Sequence, residues 1–345
     1  MHCTLLIPGL FWPRAGADEV ARGLEVPALR RLLSRSEAQR FAPVTPEGWL
    51  CQAFQIEREQ DWPVAPLTFE LDGGEPDDAY WLRADPVHMK IERDRLLLVD
   101  NALFDVGHDE AQALAATLNA HFERDGLSFH APHPKRWYVK LARTPALVTH
   151  SMNEAAGHDV KPYLPEGADA LRWHGVFNEA QMLLHAHAVN DSREERGEPA
   201  VNSVWFWGGG RRQIVRGRPF GAVWANDAVA TAIGAEAEAS AIPLPRDAAA
   251  FVSTAADAAH GADSHLLVID AAANAAAYGD MQGWRQRLET LEAQWFSPLL
   301  DALRKGRITG LAIVVPGAET CLRFDVTRMD LYKAWRRAKP LSAYA

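Results

Sequence analysis

Three short apolar runs constrain this chain most: residues 3–7 (Cys-Thr-Leu-Leu-Ile), 265–269 (His-Leu-Leu-Val-Ile) and 311–315 (Leu-Ala-Ile-Val-Val). Runs this short and this continuous read as strands buried on both faces, and the first is stopped by Pro8-Gly9. Helical spacing surrounds them: residues 18–36 with a break at Pro27, residues 228–233, and a long stretch from Tyr278 to Leu303. The middle of the chain has a different texture. Strands are predicted over 80–83, 87–91, 96–99 and 137–141, with a helix capped by Asp109 running to Phe122 and another over 176–187. Residues 43–74, with Pro43, Pro46, Pro63, Pro66 and Asp72-Gly73-Gly74, read as loops and brief strands. The pattern predicts one α/β sheet core, residues 1–75 and 200–345, interrupted by an inserted α+β domain over 76–199.

Composition narrows the function. The 345 residues carry 36 Lys and Arg against 45 Asp and Glu, a formal charge of −9, which opposes nonspecific nucleic-acid binding and favours a small-molecule or protein partner. No window holds the roughly 18 apolar residues a membrane helix needs. The start lacks the basic residues and cleavage site of a signal peptide, so a cytoplasmic location and no membrane are expected. Cys3, Cys51 and Cys321 are scattered and odd in number, and form neither a disulfide framework nor a zinc knuckle.

Several constellations invite chemistry. Trp205-Phe206-Trp207 before Gly208-Gly209-Gly210 reads either as a packed aromatic strand or as a strand tip where glycines admit an anion to the backbone, with Arg211, Arg212, Arg216 and Arg218 beyond it. It matches neither a Walker loop nor a dinucleotide fingerprint. His185 and His187 would share a direction on a strand, but the segment is helical and they diverge. Asn190 and Arg193, beyond a helix end, suit a phosphate or carboxylate, or a capped loop. Arg83, Asp85, Arg136, His158 and Asp159 read as surface charges or as pocket groups. No Gly-x-Ser-x-Gly elbow exists.

The order of Leu164-Pro165-Glu166-Gly167, Asn190-x-x-Arg193, Gly197 and the Asn202-to-Gly208 stretch resembles cofactor-independent phosphoglycerate mutases of the archaeal type. Trp81-Leu82-Arg83 is similar to that family's Phe-Arg strand, Lys135-Arg136 to its Tyr-Arg, and Gly157-His158-Asp159-Val160 to its His-Asp-Ile. The resemblance covers roughly residues 80 to 210. It implies an alkaline-phosphatase-like sheet core with helices on both faces, two divalent metals, a serine nucleophile and an inserted substrate domain. More narrowly, the segments 81–88, 178–182 and 202–208 resemble the bacterial RpfE-type regulatory proteins of that superfamily.

Against this resemblance the metal positions fail. Pro8 stands where the first strand of the mutases ends in a ligand aspartate, Ala273 and Ala277 stand for a ligand aspartate and histidine, and Glu319 follows the last strand without an Asp-His pair. Asp270, Gly279 and Asp280 persist, the last two as helix-start residues. The Pro46-to-Cys51 segment resembles the nucleophile turn with Trp49 nearest the serine; Cys51 would attack only if a cation lowered its pKa. The expectation is therefore a non-catalytic regulatory or ligand-sensing protein without cofactor. It would bind an anionic phosphorylated metabolite or a regulatory protein partner, with a pocket of Arg83, Arg136, His158, Asp159, Asn190 and Arg193. The rival expectation is an active phosphomutase or phosphatase with a relocated site for two divalent ions such as Mn or Zn, drawing on Asp270, Asp280, His260 or His265. A third is a scaffold whose aromatic surface binds another protein.

Overall fold

A computed structural model describes residues 1–256, 262–333 and 335–344. In chain order the first elements are β1 (His2–Leu6), α1 (Ala17–Val20), α2 (Pro27–Arg35), β2 (Ala38–Phe41), α3 (Pro46–Ala53) and α4 (Val64–Leu71). Then come β3 (Tyr80–Glu92), β4 (Arg95–Val99), α5 (His108–Phe122), β5 (Leu127–His133), β6 (Arg136–Leu141), α6 (Met152–Ala155), α7 (Ala170–His185), α8 (Ala188–Glu195) and β7 (Ser203–Gly210). The last part holds β8 (Ala222–Trp224), α9 (Ala228–Glu236), β9 (Ser240–Ile242), α10 (Ala248–Ala256), β10 (Ser264–Val268), α11 (Ala273–Ala277), α12 (Met281–Leu291), α13 (Ser297–Arg304), β11 (Gly310–Val315) and β12 (Cys321–Thr327).

The chain divides into two compact units, one of residues 1–55 and 215–345 and one of residues 56–214. The first is built on a seven-stranded sheet in the order β2-β12-β11-β1-β10-β8-β9. The three apolar runs are its centre: β1 lies parallel between β10 and β11, with Leu5 opposite Leu267 on one side and Ile313 on the other. Successive residues of β1 are all buried from Cys3 onward, as a sheet covered on both faces requires. Among the described residues, only β12 and β2 run antiparallel to their neighbours, and β2 forms one edge of the sheet.

The stretch expected as one helix from Tyr278 to Leu303 is broken. Asp280 caps α12 by accepting from the Gly283 N–H at 2.9 Å, and a π turn over residues 292–296 separates α12 from α13. That turn aims buried Glu292 at the start of α2, where its carboxylate accepts from the N–H groups of Ala28 (2.7 Å) and Leu29 (3.0 Å). Val26, the N-cap of α2, offers no side-chain acceptor, so a carboxylate from a distant helix satisfies the orphan donors and meets the positive helix end.

The second unit has a five-stranded sheet in which the first half of β3 lies between β6 and β7 and its second half pairs with β4. The two strands expected at 80–83 and 87–91 are thus one, continuing through Pro86. The domain boundaries differ from expectation for the same reason. Pairing of β7 with β3 draws residues 200–214 into this unit, and α4 packs beside them, so the divisions fall at 55/56 and 214/215 rather than 75/76 and 199/200. The proline-rich stretch holds two short helices. Thr45 caps α3 through the Gly48 N–H (3.1 Å) with Pro46 in the first turn, a position where proline's missing donor costs nothing.

Candidate functional site

Buried Arg83 on β3 and half-buried Arg136 on β6 belong to one charge network, linked through Tyr138. Residues two apart on a strand share a face, so Arg83 folds back onto Asp85, with Nε and Nη2 donating to its carboxylate at 2.8–3.0 Å. Asp85 also accepts from the Trp137 backbone N–H (3.2 Å) and the Trp207 Nε1–H (2.8 Å). Burial pushes the Asp85 carboxyl up, and these donors with the guanidinium charge pull against it. The guanidinium lies over the rings of Tyr138 and Trp207, and Nη1 reaches Thr68 Oγ1 at 3.2 Å. Arg136 is matched likewise: its Nε donates to Asp72 at 2.8 Å, and Tyr138 Oη donates to the same carboxylate at 2.6 Å.

Asn190 and Arg193 form a second cluster on α8. The Asn190 amide donates to the carbonyls of Leu184 (2.7 Å) and Val201 (2.9 Å) and accepts from the Val201 N–H (2.8 Å), tying the end of α7 to the approach of β7. Arg193, 1% exposed, donates to the carbonyls of Pro199 (2.8 Å) and Asp105 (2.7 Å) and to the Glu110 carboxylate (2.5 Å). His158 and Asp159 lie elsewhere again: the backbone around them pairs with β4 at Leu97 and Leu98, and His158 Nδ1 contacts the Ala156 carbonyl at 2.9 Å. Leu97 pairs with Lys90, seven residues along β3 from Arg83, or roughly 23 Å at strand rise. The six residues expected to line one pocket therefore occupy three places in the unit. The arginine clusters are filled by carboxylates and carbonyls from their own chain.

The glycines after Trp207 serve packing. A Cβ at Gly208 would fall 2.3 Å from Val64 Cγ2, and one at Gly210 would fall 2.3 Å from Pro63 Cβ, so these glycines let β7 lie against the start of α4 rather than against an anion. Beyond them, the Arg211 N–H donates to Glu59 (3.0 Å) and Arg212 pairs with Glu70 (3.0 Å). His185 ends α7, whereas His187 caps α8 by accepting from the Val189 N–H at 3.1 Å. The two histidines have separate duties and do not form a ligand pair. A surface groove of about 380 Å³, bordered by Phe69, Phe129, Pro132, Gln112, Asn119 and His130, contains none of the six expected residues.

The fold resemblance implies two divalent metals at the strand ends of the first unit, and the donor set there does not fit them. Gly9, following Pro8, adopts φ +71° and lies against the turn after β10: a Cβ on it would stand 2.8 Å from Ala273 Cα and 3.0 Å from the Ala272 carbonyl oxygen. Trp284 Nε1 donates to the Gly9 carbonyl at 2.8 Å, and Trp284 meets Trp12 edge to face. Backbone contact and indole rings fill the place, and the side chains supplied by Pro8, Ala273 and Ala277 have no lone pair to offer a hard cation. Asp270 begins this turn, with its carboxyl pushed up by desolvation. Among the described residues, no group of three or more His, Cys, Asp or Glu is placed to hold a metal. Of the rival ligand set, Asp280 is a helix cap and His265 is buried in the sheet beside the Trp224 indole; His260 lies outside the described residues. Cys51 is buried on α3, and desolvation with the nearby Glu47 charge pushes its thiol up, the reverse of what a nucleophile needs.

No family model matches the chain. It is similar to 2,3-bisphosphoglycerate-independent phosphoglycerate mutases. The protein from Methanosarcina acetivorans is 23% identical over 261 residues, 69% of this chain and 64% of that protein. That from Methanosarcina mazei is 25% identical over 134 residues, 37% of this chain and 34% of the relative. That from Methanosarcina barkeri is 29% identical over 115 residues, 31% and 28% of the two chains. The matching segments thus span between about a quarter and just under two thirds of these relatives. Among solved structures, the cofactor-independent phosphoglycerate mutase of Thermoplasma acidophilum superposes with a TM-score of 0.50 at 15% identity, covering 100% of this chain and 95% of that one. The PH0037 protein of Pyrococcus horikoshii superposes with a TM-score of 0.57 at 12% identity, covering 99% and 92%. No helix among the described residues is long and apolar enough to cross a membrane. The chain has the mixed α/β fold of phosphoglycerate-mutase-like, alkaline-phosphatase-type proteins.

Proposed function

We propose that this chain is a non-catalytic regulatory protein built on the phosphoglycerate-mutase-like fold, of the RpfE type its motifs resemble, acting in the cytoplasm by binding a protein partner. The observation that carries the reading is the contact of Gly9 with Ala272 and Ala273, where backbone and indole stand in place of metal-binding carboxylates and imidazoles. Losing one ligand weakens a two-metal site. Losing several leaves nothing to offset the dehydration of a hard dication.

A protein partner is favoured over a phosphorylated metabolite by the state of the arginines. Arg83 and Arg136 are held by Asp85 and Asp72, and Arg193 by Glu110, so a free anion would have to displace a carboxylate already in place. The test is direct. Purified protein is assayed for interconversion of 2- and 3-phosphoglycerate and for phosphatase activity with added Mn²⁺ and Zn²⁺, with elemental analysis of the same sample and calorimetric titration of 3-phosphoglycerate. No turnover, no stoichiometric metal and no heat of binding are expected. Two tightly held ions per chain, or turnover that needs them, would overturn the non-catalytic reading; 3-phosphoglycerate binding without turnover would restore the metabolite.

A further inference from the structure

In a chain of net charge −9, residues 30–41 and 328–339 hold nine Lys and Arg against two carboxylates, Glu37 and Asp330, a local excess of seven positive charges. The two segments lie together in the first unit. Arg35 Nη1 donates to the Arg336 carbonyl at 2.6 Å, Arg336 Nη1 to the Ser36 carbonyl at 2.6 Å, and Arg30 Nε to the Lys339 carbonyl at 3.3 Å. Those bonds consume backbone oxygens, so the positive charges remain in excess. Arg31, Arg40, Arg328 and Arg337 are exposed, and none has a carboxylate at salt-bridge distance among the described residues. Large apolar side chains are exposed in the same segments: Phe41 at 52%, Tyr332 at 68% and Trp335 at 76%.

Through the middle of this region runs a free sheet edge. Among the described residues β2 pairs with β12 alone, and all four of its residues are exposed. In an antiparallel ladder every second residue of an edge strand turns its N–H and C=O away from its neighbour, so β2 presents unpaired main-chain donors and acceptors flanked by arginine. An exposed edge of this kind is a template for another strand unless something covers it.

We propose that β2 and its basic, aromatic surround form a docking site for an acidic, extended segment of another protein, which adds to the sheet as an eighth strand. Main-chain pairing supplies the register, carboxylates of the incoming strand meet Arg31, Arg40 and Arg337, and Trp335 and Tyr332 cover its apolar side chains. Seven of the nine cations are arginine, whose planar fork matches a carboxylate. A free strand edge serves a peptide; neither a lipid headgroup nor a nucleic acid uses it. The proposal stands on its own residues and does not depend on whether the chain turns over phosphoesters.

The test uses the full chain and a fluorescein-labelled peptide of alternating glutamate and valine, followed by fluorescence anisotropy, with amide hydrogen exchange read at residues 38–41. Expected are salt-sensitive binding, slowed exchange across β2, and a loss of about tenfold or more in affinity in the variant Arg31→Glu/Arg40→Glu/Arg337→Glu. These side chains are exposed and make no ion pair among the described residues, so the variant keeps its fold by circular dichroism; Trp335→Ala, which leaves the charge intact, weakens binding in the same direction. Absence of peptide binding, unchanged affinity in the charge-reversed variant, or binding that leaves 38–41 unprotected would each overturn the proposal. So would tighter binding to phosphatidylserine vesicles or to oligothymidine than to the peptide.

Discussion

Gly9 and Ala273 touch backbone to backbone, at the place where β1 ends and the turn after β10 begins. Gly9 adopts φ +71°, a conformation costing an L-residue roughly 1–2 kcal/mol, and any Cβ would also overlap main-chain atoms that cannot swing away. Gly9→Ala is expected to destabilise the first unit by about 2–3 kcal/mol, seen as a lower urea midpoint in Trp fluorescence. A loss below about 0.5 kcal/mol would mean that the two turns are not in contact.

Acid should loosen the second unit through Asp72. Burial acts to raise its carboxyl, but hydrogen bonds from Arg136 and Tyr138 and the Arg136 charge outweigh it and hold the group below the usual carboxylate range. A folded pKa below the unfolded value, about 3.9, means that the stabilisation is complete above that pH and is lost as pH falls through the folded value. Protection of the β6 amides, measured against their intrinsic exchange rates, should therefore fall below about pH 4. Asp72→Asn should be less stable at neutral pH and should show a shallower acid response; equal slopes in the two proteins would refute the assignment.

Arg193 is a clamp between α8, the residues before β7, and Glu110 at the start of α5. Arg193→Ala leaves the Pro199 and Asp105 carbonyls without this donor and Glu110 with Arg196 and the Gly107 N–H alone, and should cost about 2 kcal/mol or more. Arg193→Lys should recover only part of this, because one ammonium cannot reach three acceptors at the corners of a planar fork. A variant as stable as the parent in thermal unfolding would count against the clamp.

The thiols should be silent. All three cysteines are buried, and desolvation pushes Cys3 up to about 12 and raises Cys51 and Cys321. Titration with an aromatic disulfide reagent at pH 8 is expected to give no fast phase before denaturant and three equivalents after it. A rapid equivalent that maps to Cys51 would reopen thiol chemistry there.

Much of the first unit was legible because β1, β10 and β11 are buried on both faces and so carry continuous apolar runs. The edges were not: β2 is exposed at every residue and β12 mixes Arg323 and Asp325 with its apolar positions, so neither has the composition of an interior strand. Proline at residues 46 and 63–66 starts helices instead of ending them, so this stretch has the composition of a loop. The arginines are plain in the sequence as residues, but the carboxylates that occupy them are not. Asp72 is far from Arg136 in the chain, and only the fold brings them together, but Arg83 and Asp85 stand two apart on a strand. That period-two pairing was the one signal that could have shown Arg83 to be occupied.

The central place of β1 has a consequence for how the molecule is made. Its partners are residues 264–268 and 310–314, so β1 cannot be seated until more than 250 further residues have been synthesised. Residues 56–214, by contrast, are contiguous and hold their own sheet, so they can close while synthesis continues. Until β10 and β11 arrive, β1 is an apolar strand with two open edges, a natural client for a chaperone, and the slow step in assembly is the return of residues 264–314 to β1.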